Sequence, residues 1–165
     1  MRAFTRTAFL LLAVLTIYPV GASPRILKFA DGEIIVETGL EYDLVAVNDS
    51  RGELISKSWC KAGTFESYFE LFTDIKAALD RRDRAAIVKL VGYPLEVNTK
   101  RRFSIKNPAA LTQSYDLVFT PNVITRVLEA EPAAVFCQDG MGMIGDGVIW
   151  ASASRKSSKV MVVNP

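Results

Sequence analysis

Apolar and polar positions alternate with a period near two through residues 26–60, ILKFADGEIIVETGLEYDLVAVNDSRGELISKSWC. Ile26 to Phe29, Ile34 to Thr38, Tyr42 to Val47 and Leu54 to Trp59 are short apolar or alternating runs. Asp31-Gly32, Gly39 and the stretch Asn48-Asp49-Ser50-Arg51-Gly52 separate them with turn residues. This pattern predicts a meander of antiparallel hairpins.

The period changes at Thr64. Phe65, Tyr68, Phe69, Phe72, Ile75, Ala78 and Leu79 recur at three- and four-residue spacing, which predicts a helix with an aromatic-rich, core-facing stripe. Thr64 is expected to cap it, with Glu66 in the first turn near the positive end of the dipole. The charged run Asp80 to Arg84 predicts an exposed break, and Ala85 to Val91 a second short helix.

Tyr93 to Val97 and Arg102 to Ile105 predict two strands around a turn at Asn98 to Arg101. Asn107-Pro108 and Thr120-Pro121 each combine a capping residue with a first-turn proline, so each is expected to start a helix. The first presents Leu111, Tyr115, Val118 and Phe119, and the second Val123, Ile124, Val127 and Leu128, ending at Pro132. Ala134 to Gln138, Gly147 to Ser154 and Lys159 to Val163 return to the strand pattern.

The N-terminus differs from all of this. Arg2 and Arg6 precede an apolar run, Ala8 to Tyr18, relieved only by Thr16; Pro19 and the small residues Gly21-Ala22 come next. Such a run suits a signal peptide and is too short to cross about 30 Å of hydrocarbon as a helix. A buried N-terminal helix is the alternative, disfavoured because no charge punctuates the run. No cysteine directly succeeds it, so a lipid anchor is not expected. The reading is a leader over 1–22 and an exported, periplasmic or secreted chain with no stable membrane anchor after cleavage.

Export changes the charge. The whole chain has 20 Lys and Arg against 18 Asp and Glu, and residues 1–22 hold Arg2, Arg6 and no acid, so the remainder balances at 18 of each. A neutral chain has no global field for nucleic acid or an anionic membrane. Half the residues are hydrophobic, enough for one core without a structural metal. Of the two cysteines, Cys60 and Cys137, an oxidising compartment favours a bridge. Two separate buried thiols remain the alternative.

The composition also excludes chemistry. With no histidine, Ser-His-Asp and Cys-His catalysis and the usual histidine-built zinc sites are ruled out. The acids are scattered without the spacing of a glycosidase dyad or a calcium loop. Gly140, Gly142 and Gly145 match GxGxxG literally. That fingerprint needs a helix after the glycines and an acid about twenty residues on. The next residues are instead GVIWASAS, a strand pattern, and no acid occurs after Asp146. No cofactor is therefore expected. The glycines read as one hairpin linking Val135 to Gln138 with Val148 to Ser154, with Asp139-Gly140 and Asp146-Gly147 as turn dipeptides. Met141, Met143 and Ile144 are then either core residues or an adaptable contact surface.

From Thr64 onward, the helix, short helix, strand pair, helix and three strands, with the stretches YPLEVN, FSIKN, YDLVFTPNV and GMGMIGDGVIW, resemble the nuclear transport factor two-like superfamily. More specifically, they resemble small exported bacterial proteins of that class. The resemblance covers roughly residues 64–163 and implies an α+β cone, a curved antiparallel sheet wrapped around helices. It puts an N-terminal β-hairpin module at 23–62 and the cone domain at 63–165. Enzymes of the superfamily place an Asp/His or Asp/Tyr set in the cone's mouth. The matching positions here are Tyr93, Tyr115, Asp116 and, less directly, Asp146, without the histidine.

Two functions are thus expected in order. The first is a noncatalytic exported binding protein recognising another protein, such as an inhibitor or immunity protein of a periplasmic toxin or hydrolase. Its contact residues would be Met141, Met143, Ile144 and Asp146 on the glycine segment and Arg101, Arg102 and Phe103 beside Lys100. The second is a small-molecule binder or an isomerase or dehydratase using Tyr93, Tyr115 and Asp116 at a pocket.

Overall fold

The computed structural model describes residues 24–29, 32–131, 135–154 and 157–165. The expected leader at 1–22, Asp31 of the first turn, Pro132 and Ala134, and Arg155-Lys156 of the last turn lie outside the described residues.

The alternating N-terminal region forms β1 (Arg25–Phe29), β2 (Gly32–Glu37), β3 (Tyr42–Asp49) and β4 (Leu54–Lys61). They pair antiparallel in chain order as a four-stranded sheet. Period two sends Ile34, Val36, Val45, Val47 and Cys60 inward, where all are buried. The β3–β4 turn is held by Asp49, whose Oδ1 accepts from the backbone N–H of Arg51 and of Glu53, each at 2.9 Å.

Helix α1 (Phe65–Asp80) comes next. Phe65, Tyr68, Leu71, Phe72, Ile75, Ala78 and Leu79 are buried, as the three-four spacing requires. Thr64 does not cap it in the expected way: its side chain accepts no helix N–H, and its hydroxyl donates instead to the Lys61 carbonyl at 2.7 Å. Thr64 itself has helical φ and ψ, which turns the hydroxyl back toward the preceding turn. Helix α2 (Arg84–Leu90) is capped by Asp83, which accepts from Ala86 N at 2.9 Å.

Strands β5 (Val91–Val97) and β6 (Phe103–Ile105) form the expected hairpin, with a cis bond between Tyr93 and Pro94. Asn107 caps α3 (Pro108–Gln113), which passes through α4 (Tyr115–Val118), and Thr120 caps α5 (Pro121–Glu129). Leu111, Tyr115, Val118, Phe119, Val123 and Val127 all reach the core.

The C-terminal region departs from its expected outline. The single hairpin becomes a meander of β7 (Phe136–Gln138), β8 (Met141–Ile144), β9 (Ile149–Ser154) and β10 (Ser157–Val163). The glycine stretch is itself a strand, paired on both sides. Two glycine turns in quick succession hid it, because four residues leave no room for a visible alternation. The second sheet runs β6-β5-β10-β9-β8-β7. Among the described residues only β5 and β10 pair in parallel, and the register of β10 shifts between Val160 and Val162.

The chain is therefore α+β, with a four-stranded and a six-stranded sheet, mostly antiparallel. Its buried apolar residues form one core cluster that draws on both sheets and the helices. Strands β4 and β7, an edge of each sheet, are joined by the Cys60–Cys137 disulfide, with Cα atoms 5.0 Å apart. The bridge, not the pair of separate thiols, is what the fold contains.

Candidate functional site

The glycine segment is built from two turns around β8. Asp139 and Gly140 both have positive φ, the pair of left-handed residues a two-residue hairpin needs between Gln138 and Met141. The Tyr68 hydroxyl donates to the Gly140 carbonyl at 2.8 Å, tying the turn to α1. In the second turn, Asp146 also has positive φ and accepts from Arg126 of α5 at 2.8 Å. The Gly147 carbonyl accepts from the Trp150 indole at 3.0 Å and from the Asn164 side-chain amide. The element after the glycines is β9 and not a helix, so they present no N-terminal helix end to a phosphate.

Alternation along β8 divides the expected contact residues. Met141 and Met143 are half-buried on the outer face, whereas Gly142 and Ile144 point inward. Ile144 is 1% exposed and sits in the core, so it offers no contact area to a partner. Asp146 is exposed and ion-paired. Met143 stands between Phe136 and Trp150 in the ladder, giving an outer apolar row.

Arg101 and Arg102 are exposed at the β5–β6 tip, and Phe103 is 39% exposed. Ile144, Ile149, Val163, Val97 and Phe103 are successive partners across five strands. The two contact segments are thus four strand spacings apart, about 19 Å. The basic tip and the 145–148 turn nevertheless share one end of the sheet, where a relay joins them, while Met141, paired with Ser152, sits at the other end of β8. Asn98, at the start of the basic tip, donates from its backbone to Val163 O at 2.9 Å and from Nδ2 to Asn164 Oδ1 at 2.9 Å. Asn164 in turn donates to the Gly147 carbonyl and, from its backbone, to Val148 O. Asn98 Oδ1 is buried without a partner in this relay. Neither asparagine is marked by sequence pattern, since their role comes from two strands meeting far apart in the chain.

Of the residues expected at a pocket, Tyr115 and Asp116 share a cleft, which Tyr93 does not line. The Tyr93 hydroxyl donates to Val88 O at 3.1 Å. Tyr115 is buried, its ring 4.9 Å from that of Phe119, with the Arg84 guanidinium over the ring 4.6 Å from its centroid. Asp116 faces solvent and accepts from both terminal nitrogens of Arg84, at 3.1 and 2.7 Å. Burial raises the pKa of Tyr93 and of Tyr115; for Tyr115 the Arg84 charge opposes that shift. A cleft of about 480 Å³ runs past Tyr115, Asp116, Arg84 and Thr125, and one of about 500 Å³ past Val88, Lys89, Pro108 and Tyr115. Tyr93 lines neither. Both are clefts on the helical side, while Phe65, Tyr68, Phe72 and Phe119 fill the interior.

One buried acid carries no mark in the sequence pattern. Asp43 is wholly buried, accepting from Gly63 N at 2.8 Å and Gly39 N at 3.3 Å, with Arg25 at 3.7 Å. Arg25 also meets Glu66 of α1 at 2.6 Å. These contacts tie β1, the β2–β3 turn and the β4–α1 connection together, a structural role. Among the described residues no three His, Cys, Asp or Glu side chains converge as a metal site would require.

Compared with known proteins, the chain matches no family model, no curated protein and no solved structure.

Proposed function

We propose that this is a noncatalytic exported binding protein that recognises another protein with one end of its six-stranded sheet. The observation that carries the reading is the Asn98–Asn164–Gly147 relay, which ties the start of the basic tip to the turn that follows β8 at one rim. Tips held to a shared frame present a pre-ordered surface, which limits the entropy lost on association. Exposed Arg101 and Arg102 supply charge and the outward Met141 and Met143 adaptable apolar contact, while Phe103, in register with Val97 and Ile144, offers its exposed part from the inner-face edge of β6.

The same proposal takes residues 63–165 as a nuclear transport factor two-like cone. In support, α1 reaches the second sheet through the Tyr68 hydroxyl on Gly140 and through the Ser158 hydroxyl, which donates to Ser67 O. The register shift in β10 supplies a bulge of the kind that curves a sheet. Export to the periplasm or beyond is inferred from the leader pattern and is compatible with the disulfide. An inhibitor or immunity role is the class of function that such a small exported partner-binding protein fits. Asp116 stands outward in an ion pair instead of in an apolar mouth, which sets an Asp-base enzyme behind this reading.

The test is affinity capture of tagged residues 23–165 from an oxidised envelope extract of the source cells, with quantitative mass spectrometry. Met143→Arg and an Arg101→Glu, Arg102→Glu double variant, each shown to be folded by circular dichroism, are run in parallel. One protein enriched by the wild type and lost with both variants supports the proposal. No protein above background, or one retained equally by all three forms, overturns it.

A further inference from the structure

The outer face of the four-stranded sheet has an unusual surface. The alternation that buries Ile34, Val36, Val45 and Val47 turns Ile26, Ile35, Tyr42, Leu44, Ala46 and Trp59 to the other side. Ile26 is 55% exposed, Tyr42 50% and Trp59 61%, so the apolar surface is contiguous with water across all four strands. A monomer seldom leaves such a face open.

Charge is divided across this face about β3. The outward positions of β2 include Glu33 and Glu37, and those of β4 include Lys57 and Lys61. The outward positions of β3 between them, Tyr42, Leu44, Ala46 and Asn48, carry no charge. None of these four charged side chains takes part in an ion pair among the described residues. Lys28 of β1 stands opposite Glu33, whereas Glu37 stands opposite Leu44 and has no basic neighbour in the ladder. The β2 acids and β4 lysines are two strand spacings apart, about 9.5 Å, across apolar side chains.

We infer that this face binds a second copy of the chain, in a two-fold dimer whose axis runs along β3. Rotation about that axis lays β4 of one copy over β2 of the other, so acid meets base twice. Lys57 is level with Ile35 and Ala46 in the ladder, which places it between the Glu33 and Glu37 of the other copy. Leu44 and Ala46 meet their own counterparts, and Trp59, level with Leu44, comes over the Glu37 of the other copy between its two lysines. A face acidic on one side of its central strand and basic on the other is complementary to itself, the condition an isologous interface must meet. The face is separate from the rim proposed for the protein partner, so the two readings stand or fall independently.

The test uses protein expressed from the 165-residue sequence and purified as the cell processes it, with sedimentation velocity over a wide concentration range. The wild type sediments as a dimer. Lys57→Glu and Glu37→Lys each place like charges at both contacts and weaken dimerisation about tenfold or more. Mixing the two variants in equal amounts restores the dimer, because both contacts then join opposite charges. Both positions are exposed, and circular dichroism confirms that each variant is folded. A monomeric wild type, a dimer indifferent to both reversals, or a mixture that stays monomeric would each overturn the inference.

Discussion

The Tyr68 ring lies directly against the backbone of Gly142, so close that a Cβ on residue 142 would sit 2.7 Å from the ring's Cγ and 2.9 Å from each Cδ. The approach lets α1 settle on β8 and brings the Tyr68 hydroxyl to the Gly140 carbonyl. Cγ is near the root of the side chain, so the ring cannot swing clear without moving its helix.

Gly142→Ala is therefore expected to lower stability by about 1–3 kcal/mol, the usual range for overpacking a filled core. Urea unfolding reads this as a lower midpoint at unchanged slope. In a Tyr68→Ala background the added loss should shrink, because the Cγ and Cδ atoms that meet the new methyl are gone. An equal loss in both backgrounds would show that the ring contact is not what excludes a side chain at 142.

The Cys60–Cys137 bridge closes a loop of 77 residues between two sheet edges that share no hydrogen-bonded ladder. Chain entropy alone assigns it roughly 4 kcal/mol as a ceiling. Replacing both cysteines with alanine should lower the denaturation midpoint substantially, and adding reductant to the wild type should move it toward the double variant. Reductant should leave the double variant unchanged.

Asp43 holds two backbone N–H groups in a site with no water access of its own. Asp43→Ala orphans both donors and is expected to cost about 1–3 kcal/mol. Asp43→Asn keeps one carbonyl oxygen but turns an amide NH₂ toward the other donor, so it should fall between. Thermal melts of the three forms, compared with Asp49→Ala at the exposed turn, would separate burial from loss of charge.

Burial raises the pKa of Tyr68, Tyr93 and Tyr115 above the ordinary 10.0. In the unfolded chain these hydroxyls ionise near 10.0, so the folded state resists a deprotonation the unfolded state accepts. Their contribution to stability is complete below that pH and is lost as pH rises toward the folded values. Tyrosinate absorbance should lag behind that of a model tyrosine and then rise together with loss of the circular dichroism signal. Tyr68→Phe should make stability less steep in alkali.

The Arg84–Asp116 pair is bidentate but open to solvent on both sides. Asp116→Asn is expected to change stability by less than about 1 kcal/mol. Arg84→Ala should cost more, because it also uncovers the face of Tyr115. Chemical denaturation of both variants checks the order, and equal losses would mean that the stacking contributes nothing.

Much of the local structure was legible in the sequence. Alternation at 26–60 located four strands, and three-four spacing after Thr64 located α1 with its buried face. Asp83, which sequence pattern left inside a charged run, proved to be the cap of α2, while Asn107 and Thr120 cap the helices they were expected to start. These readings succeed because side-chain period and capping are properties of neighbouring residues. Thr64 fails as a cap for the complementary reason: its hydroxyl is claimed by the Lys61 carbonyl, a choice made by the shape of the preceding turn.

Local pattern sufficed, then, for the elements up to β7 and for the core-facing residues of the helices. Long-range packing had to settle that Met141–Ile144 is a strand, because its order comes from partners on both sides instead of from a pattern within four residues. It settled too that Ile144 is core while Met143 faces out, that Asp43 is buried, and that Cys60 meets Cys137. It also joined Asn98 to Asn164, 66 residues away, and set acids and lysines on opposite sides of β3. Each of these depends on which distant segments pair, and pairing is settled by burying one shared core, a condition no local window of the chain contains.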